Sequence, residues 1–389
     1  MSDNTDRRDS FSSEDSIPEF SGGIKMSECE PTEFEHEFAP PAVPVQLQPK
    51  PPQKRGVCGI FNMGNTCYAN AAIQMLRAIP EFSAFCNSNP VALAVATQDA
   101  PKANRILSAY ADLSRTLWSA TSPVSCRPAA FLNVIRDVVR DTPYDQFGTR
   151  MPNDAHEYLM YLLDQFNEAI KGPGPAAAAD ALPAIKAWCN IWVKEYSELT
   201  NLFFGLDRVV CRCLTCGNES ERFEVFNTLK VNPESGVPLE ELLGRDREPE
   251  RLEGYACEKC APVQQPAEIR RTIWHLPPVL FVAVRRFNGD GRSKNHAPVQ
   301  YDGTDLSLER FFDAASTDAS RARFYEPIAV VDHHGSGFGG HYTAQAYNIV
   351  EKAWYFYDDD GIQNLEKPMF GGPTYIICFR ARSSSSSGP

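Results

Sequence analysis

The chain has 389 residues, 43% of them hydrophobic, enough for one large or two medium domains with a real core. Its formal charge of −12 and the lack of a basic stripe argue against a nucleic-acid binder and mildly favour a partner or substrate segment carrying positive charge. No apolar run approaches the ~18 residues a membrane span needs and no apolar core lies near Met1, so neither a span nor a secretory signal is expected. The twelve cysteines then read as reduced thiols, metal ligands or a nucleophile rather than a disulfide framework.

The N-terminal stretch is rich in Ser, Asp, Glu and Pro and ends PPAVPVQLQPKPPQKR. Such a segment buries too little apolar surface to offset its ordering entropy, which predicts a disordered arm over 1–55 with a polyproline-II stretch near Pro40 to Pro52. Ordered chain is expected from Gly56 to Arg382, followed by a disordered tail at 383–389. From Thr66 to Ile79 the apolar positions Tyr68, Ala72, Met75, Leu76 and Ile79 recur at helical spacing, and Pro80 ends the run. Helical patterns follow over Arg105–Ser119, Pro128–Arg140 and Asp154–Ile170, and Gly172–Pro183 (GPGPAAAADALP) reads as a flexible connection. After Leu199 the texture changes to strands: Val209–Cys211, Phe223–Val231, Arg270–Leu276, Val279–Arg286, Glu326–Asp332, Tyr342–Asn348, Trp354–Tyr357 and Tyr375–Phe379. Helices first and strands afterwards predict an α+β protein.

Cys67 falls at the start of the first helix, behind the turn Asn62-Met63-Gly64-Asn65. A helix N-terminus favours the thiolate, and the Asn62 amide with the Cys67 backbone N–H can supply two donors to a developing oxyanion. On position alone a buried core thiol is an equal alternative. A base must come from seven histidines. His36 lies in the arm, and His275 and His296 read as structural or solvated. His341 follows the glycine-rich Gly335–Gly340 and opens a strand. An imidazole base needs an acceptor to orient it, and the next strand ends in Asp358-Asp359-Asp360. Side chains alternate along a strand, so only one of Asp358 and Asp359 is expected to meet His341. A solvated acidic turn is the competing reading.

Two CxxC pairs, Cys213/Cys216 and Cys257/Cys260, are spaced as paired knuckles for tetrahedral zinc, with free thiols or a redox pair as the alternatives. Four protein ligands leave no open position, so such a metal would be structural. Cys211 is expected to point away from the pair, and Cys58, Cys86, Cys126, Cys189 and Cys378 to be ordinary thiols.

GIFNMGNTCYANAAIQML, then the cysteine tetrad, then DHHGSGFGGHYTAQAY and WYFYDDDG together resemble the ubiquitin-specific protease family of deubiquitinases, over Gly56 to Arg382. The resemblance implies a papain-like cysteine peptidase with a helical thumb at about 56–196 and zinc-ribbon fingers and a palm sheet within 197–382. Cys67 would be the nucleophile, His341 the general base, Asp358 its orienting acid with Asp359 as runner-up, and Asn62 the oxyanion donor. Pro152-Asn153-Asp154-Ala155-His156-Glu157 resembles the family's Gln-Gln-Asp box with both glutamines replaced. Asp154 and Glu157 would hold the arginine-bearing tail of ubiquitin, and they equally fit an N-cap with a capping box. His156 between them is expected to face solvent.

The resemblance also implies ubiquitin resting on the fingers, with its terminal glycines passing beside Gly339, Gly340 and Tyr342 and flanked by a flap containing His333. The implied reaction is two-step acyl transfer through a thioester, hydrolysing the isopeptide or peptide bond after the last glycine of ubiquitin. An inactive ubiquitin-binding scaffold and a peptidase for a ubiquitin-like modifier are the alternatives. The expected partners are ubiquitin and ubiquitinated proteins, without nucleic acid or membrane, for a monomer placed in the cytoplasm with the nucleus as a second compartment. Structural zinc is the expected metal.

Overall fold

The computed structural model describes residues 54–88, 101–119, 124–287, 293–336 and 339–382. The expected arm (apart from Lys54 and Arg55), with its Pro-rich stretch and His36, and the tail at 383–389 lie outside the described residues, as do Gly337 and Phe338 of the glycine-rich loop.

The N-terminal half is helical. A short strand β1 (Gly59–Ile60) pairs in parallel with β2 (Ser125–Cys126). Between and after them run α1 (Cys67–Arg77), α2 (Pro80–Cys86), α3 (Pro101–Trp118), α4 (Ala129–Val139), α5 (Ala155–Ile170), α6 (Pro183–Ile191) and α7 (Glu198–Phe203). Pro80 ends one helix and starts the next: its fixed φ and missing N–H suit the first turn. The helices meet in an aromatic core where Phe82 lies 5.5 Å from Phe166 and 5.8 Å from Phe203, and Tyr110 lies 4.9 Å from Phe166 (ring centroids). Every residue of α1 is buried, because a second surface covers the face that the thumb helices leave open. The stretch expected to be a flexible connection is tied down at its start, where Gly172 and Tyr196 exchange backbone hydrogen bonds of 2.8 and 3.2 Å.

The C-terminal half builds two sheets from β3 (Gly205–Cys213), β4 (Glu219–Phe226), β5 (Thr228–Val231), β6 (Glu250–Tyr255), β7 (Gln265–His275), β8 (Val279–Val284), β9 (Leu306–Ser307), β10 (Phe324–Ser336), β11 (Gly339–Asn348), β12 (Ala353–Asp358), β13 (Gly361–Leu365) and β14 (Thr374–Ala381). A short helix α8 (Leu239–Arg245) follows β5. One sheet has the order β4-β3-β7-β6; the other runs β13-β12-β11-β10-β14-β8-β5, with β9 added beside β10. The expected single strand Phe223–Val231 is two strands in different sheets, broken at Asn227.

The middle of the larger sheet is buried on both faces, which is why β8 and the centre of β10 read as near-continuous apolar runs, while β13 at its edge is largely exposed. Along β10, Ala329 and Val331 join the helical core, while Val330 joins a second core with Leu239, Leu242 and Phe379. Helix α1 lies against β11 in the first core, so its N-terminus meets the start of β11. The β10–β11 register sets His334 opposite His341, His333 opposite Tyr342 and Gly335 opposite Gly340.

Candidate active site

The turn ahead of α1 is folded by one side chain. Asn62 Oδ1 accepts from the N–H groups of Gly64 (2.9 Å) and Thr66 (3.1 Å), and Asn65 takes a left-handed φ of 54°. Asn62 Nδ2 is turned the other way and donates to Asp359 Oδ2 at 2.9 Å. Asp359 Oδ1 accepts at 2.7 Å from Asn70, whose amide also donates to Ile60 O at 3.0 Å. Asp359 thus clamps the turn to the helix that Cys67 begins.

Cys67 is 7% exposed, and burial pushes its thiol above the ordinary range. The N–H groups of Tyr342 and Tyr68 work against that rise, and the Asp359 charge adds to it. Tyr342 is the residue after His341, so the backbone that carries the imidazole also reaches the sulfur. His341 Nε2 donates to Asp358 Oδ1 at 2.5 Å, which orients the ring and leaves Nδ1 as its other nitrogen. His341, Asp358 and Asp359 bring their polar atoms within 4.8 Å of one another, yet their hydrogen bonds divide the two acids: Asp358 to the imidazole, Asp359 to Asn62 and Asn70.

A cavity of about 340 Å³ leads to Cys67 between Tyr68, Asp154, His333, Gly340 and Tyr342. Gly339 opens onto free space, whereas a Cβ on Gly340 would lie 2.2 Å from His334 O and 2.4 Å from His333 Nε2. Gly335, at φ 123°, lets the hairpin close behind them. A wider groove of about 570 Å³ between α3 and α4, lined by Arg105, Asp112 and Phe131, has no imidazole among its lining residues. The smaller cavity is the one of the two that reaches Cys67.

Asp154 is the N-cap of α5: its Oδ1 accepts from the N–H groups of His156 (2.8 Å) and Glu157 (2.9 Å), and its Oδ2 accepts from the Tyr375 hydroxyl. The capping box does not form, because Glu157 Oε1 takes the Gln146 amide at 3.0 Å instead. His156 is not solvent-facing as expected: it is half-buried, 3.4 Å from Thr228 Oγ1, and burial pushes it below the usual imidazole range. His275 is structural as expected, donating from Nδ1 to Asp318 at 3.1 Å.

The four cysteines converge where the β3–β4 and β6–β7 turns meet, with Cys213 and Cys260 sulfurs 4.0 Å apart and Cys216 and Cys257 3.5 Å apart. Tetrahedral Zn–S bonds of ~2.3 Å require sulfurs ~3.8 Å apart, so the tetrad has the size and the donors for zinc. Cys211 does not point the other way: two residues along a strand return to the same face, and Val209, Cys211 and Cys213 are all buried.

The model of the family described as ubiquitin carboxyl-terminal hydrolase matches residues 58–383. The chain belongs to the ubiquitin carboxyl-terminal hydrolase family. Among curated relatives, ubiquitin carboxyl-terminal hydrolase Usp2 of Drosophila melanogaster is 26% identical over 344 residues, covering 84% of this chain, which spans only 35% of that relative. Ubiquitin carboxyl-terminal hydrolase 3 of Mus musculus is 26% identical over 369 residues, covering 85% of this chain and 69% of its own length. A chain of the SAGA Ubp8/Sgf11/Sus1/Sgf73 DUB module bound to ubiquitin aldehyde has the same fold, with a TM-score of 0.67 at 19% identity over 85% of this chain and 71% of that one. The expected α+β fold is therefore observed, the helices forming the thumb of a ubiquitin carboxyl-terminal hydrolase and the two sheets its fingers and palm.

Two residues of the candidate site escaped sequence reading. Asn70 had a signal: it is one of three polar residues, with Gln74 and Arg77, in a helix that is otherwise apolar apart from Cys67 and Tyr68. Tyr375, which bonds Asp154 across the palm, had none.

Proposed function

We propose that this chain is a cysteine-type deubiquitinase that hydrolyses the bond after the C-terminal glycine of ubiquitin. One observation carries the proposal: the 2.5 Å His341–Asp358 pair sits on a backbone whose next N–H, that of Tyr342, reaches the Cys67 sulfur at a channel walled by Gly340. Cys67 Sγ attacks the glycine carbonyl while His341 takes the thiol proton. A thiol held protonated by burial calls for a general base at the moment of attack rather than a preformed thiolate. Asp358 stabilises the imidazolium, and the Cys67 N–H with the second N–H of Asn62 donates to the oxyanion. The amine leaves with the proton from His341. Water, deprotonated by the same imidazole, then releases the thioester as a carboxylate and returns the thiol.

Asp359 acts on the Asn62 side. Asp154 shapes the channel wall, since its oxygens are committed to the helix cap and Tyr375, which leaves Glu157 as the acid for an incoming arginine. Gly339, Gly340, Tyr342 and His333 line the path of a Gly-Gly terminus, where larger side chains would not pass. Cys213, Cys216, Cys257 and Cys260 would hold zinc as a cross-link between the two finger turns, with no position open for substrate. The relatives' names and the ubiquitin-bound neighbours support ubiquitin as the partner.

The test is labelling by ubiquitin bearing a C-terminal electrophile, run beside a ubiquitin–fluorophore amide and the same probes built on ubiquitin-like modifiers. Native protein should be labelled by the ubiquitin probe and Cys67→Ser should not. Equal labelling of both would remove Cys67 from the nucleophile's role.

A further inference from the structure

We propose that Lys294 is a positioning residue for this site: its ammonium holds the His333 ring against Gly340 with the ring proton on Nε2, and so sets the backbone from which His341 projects. The inference rests on the reading of His341 as the base.

Lys294 Nζ lies 2.9 Å from His333 Nδ1 and 2.6 Å from the His333 carbonyl oxygen. An ammonium has only hydrogens to offer, so Nδ1 must accept, and the ring is held neutral with its proton on Nε2. Electrostatics agree with that assignment. Burial, then the Lys294 charge, pushes His333 down to about 4, and burial, then Arg286, lowers Lys294 to about 8, so near neutral pH a cationic lysine faces a neutral imidazole. Asp332, behind the strand, works the other way on Lys294 and favours its charge.

The ring so held is a backstop. Its Nε2 lies 2.4 Å from where a Gly340 Cβ would be, and its faces meet Tyr342 (4.6 Å) and Phe287 (5.3 Å). Gly340 is the residue before His341, and Tyr342, whose N–H reaches Cys67, is the residue after it. A ring that rotates or gains a second proton would release both neighbours of the base at once.

Lys294 is itself mounted rigidly. Arg286 is fully buried and donates from Nη1 to Asn295 O (2.8 Å) and Ala297 O (3.0 Å), from Nε to Thr374 O (2.7 Å) and from Nη2 to Gly371 O (2.9 Å). Asn295 N in turn donates to Arg286 O at 2.7 Å, and Phe287 bridges to Lys294. A lysine anchored on both sides and spending two hydrogens on one residue is built to hold that residue.

The experiment uses the full chain with ¹⁵N-labelled histidine. Long-range ¹H–¹⁵N spectra near neutral pH, with the signal assigned by His333→Gln, should show His333 neutral with its proton on Nε2. Lys294→Met should lose that single tautomer and lower kcat on a ubiquitin–fluorophore amide by about 10- to 100-fold with KM little changed, a size fitting a displaced catalytic group. Lys294→Arg, which keeps a donor, should retain the tautomer and most of kcat. A native His333 that is charged or protonated on Nδ1 overturns the proposal, as does a Lys294→Met variant with native tautomer and kcat. If Lys294→Met does not fold, the native spectrum and the arginine variant decide. A native chain that cleaves no ubiquitin substrate fails the functional reading alone, since the spectra report the Lys294–His333 contact without turnover.

Discussion

Replacing Asp358 and Asp359 one at a time should produce two different kinds of loss. Asp359 accepts from Asn62 (2.9 Å) and Asn70 (2.7 Å). A hydrogen bond to a charged group contributes about 1.5–3 kcal/mol. Asn70 is 2% exposed, so in Asp359→Ala one of its N–H groups is left without water, and about 2 kcal/mol of that bond is lost. The Asn62 turn is exposed and re-solvates, which reduces its share to about 1 kcal/mol. Alanine at the left-handed φ of 51° adds about 1 kcal/mol. The sum is about 4 kcal/mol; with ~2.1 cal/mol/K per residue over roughly 300 described residues, Tm should fall by about 6 °C. Asp358→Asn removes an exposed pair, so stability changes by less than about 1 kcal/mol. Its kcat should nonetheless fall by about 10²–10⁴, because the imidazolium loses its counter-charge and its tautomer. Scanning calorimetry and ubiquitin–fluorophore turnover on the same samples separate the two. A Tm within 1 °C of native for Asp359→Ala, or a larger kcat loss there than in Asp358→Asn, would refute the division of roles.

The two channel glycines should also separate. Gly340→Ala, whose Cβ would meet His334 O at 2.2 Å, should lose kcat by about 10²-fold or more, whereas Gly339→Ala, with nothing within 4 Å, should fold natively and raise KM. Metal analysis should find about one zinc per chain, and Cys216→Ser or chelation should lower both the metal content and the Tm; a metal-free native protein of unchanged stability would rule out the zinc assignment. Because burial raises the Cys67 thiol and Asp359 adds to it, alkylation of the free protein by iodoacetamide should keep accelerating above about pH 8.5, with a lower midpoint in Asp359→Ala. A plateau below neutral pH would show a preformed thiolate instead.

What could be read in the sequence followed from how locally each feature is encoded. Helices α1 and α5 are periodic over several turns and appear within three residues of their expected ends. Helix α6 was hidden because PAIKAWCNI is only nine residues long and follows the Gly/Pro/Ala-rich run 172–183, so its periodicity repeats over little more than two turns. β6 (ERLEGY) was hidden for another reason: with almost every residue exposed, there is no face to alternate against. The break at Asn227 carries no Gly or Pro. The chain changes sheet there because β5 finds β8 as a parallel neighbour, a fact about residues more than fifty positions away.

At the candidate site, Cys67, His341 and the four finger cysteines stood out in the sequence because few residue types can do the chemistry proposed for them. The roles of Asp358 and Asp359 were only half legible. Strand alternation assigns them opposite faces, but β12 ends at Asp358, and Asp359 already occupies a left-handed turn. The chain reverses at that corner into Gly361, so both carboxylates stay near His341 while reaching different partners. One acid therefore grips the imidazole carried by the sheet, and the next grips Asn62 and Asn70 carried by the helix. Asn62 and His341 belong to different layers of the fold, and two consecutive residues tie them together. Sliding α1 along β11 would strain the Asp359 bonds, and the shared backbone would pass that strain to the Asp358–His341 bond. In the proposed mechanism, that one turn would hold the spacing between Cys67 and His341.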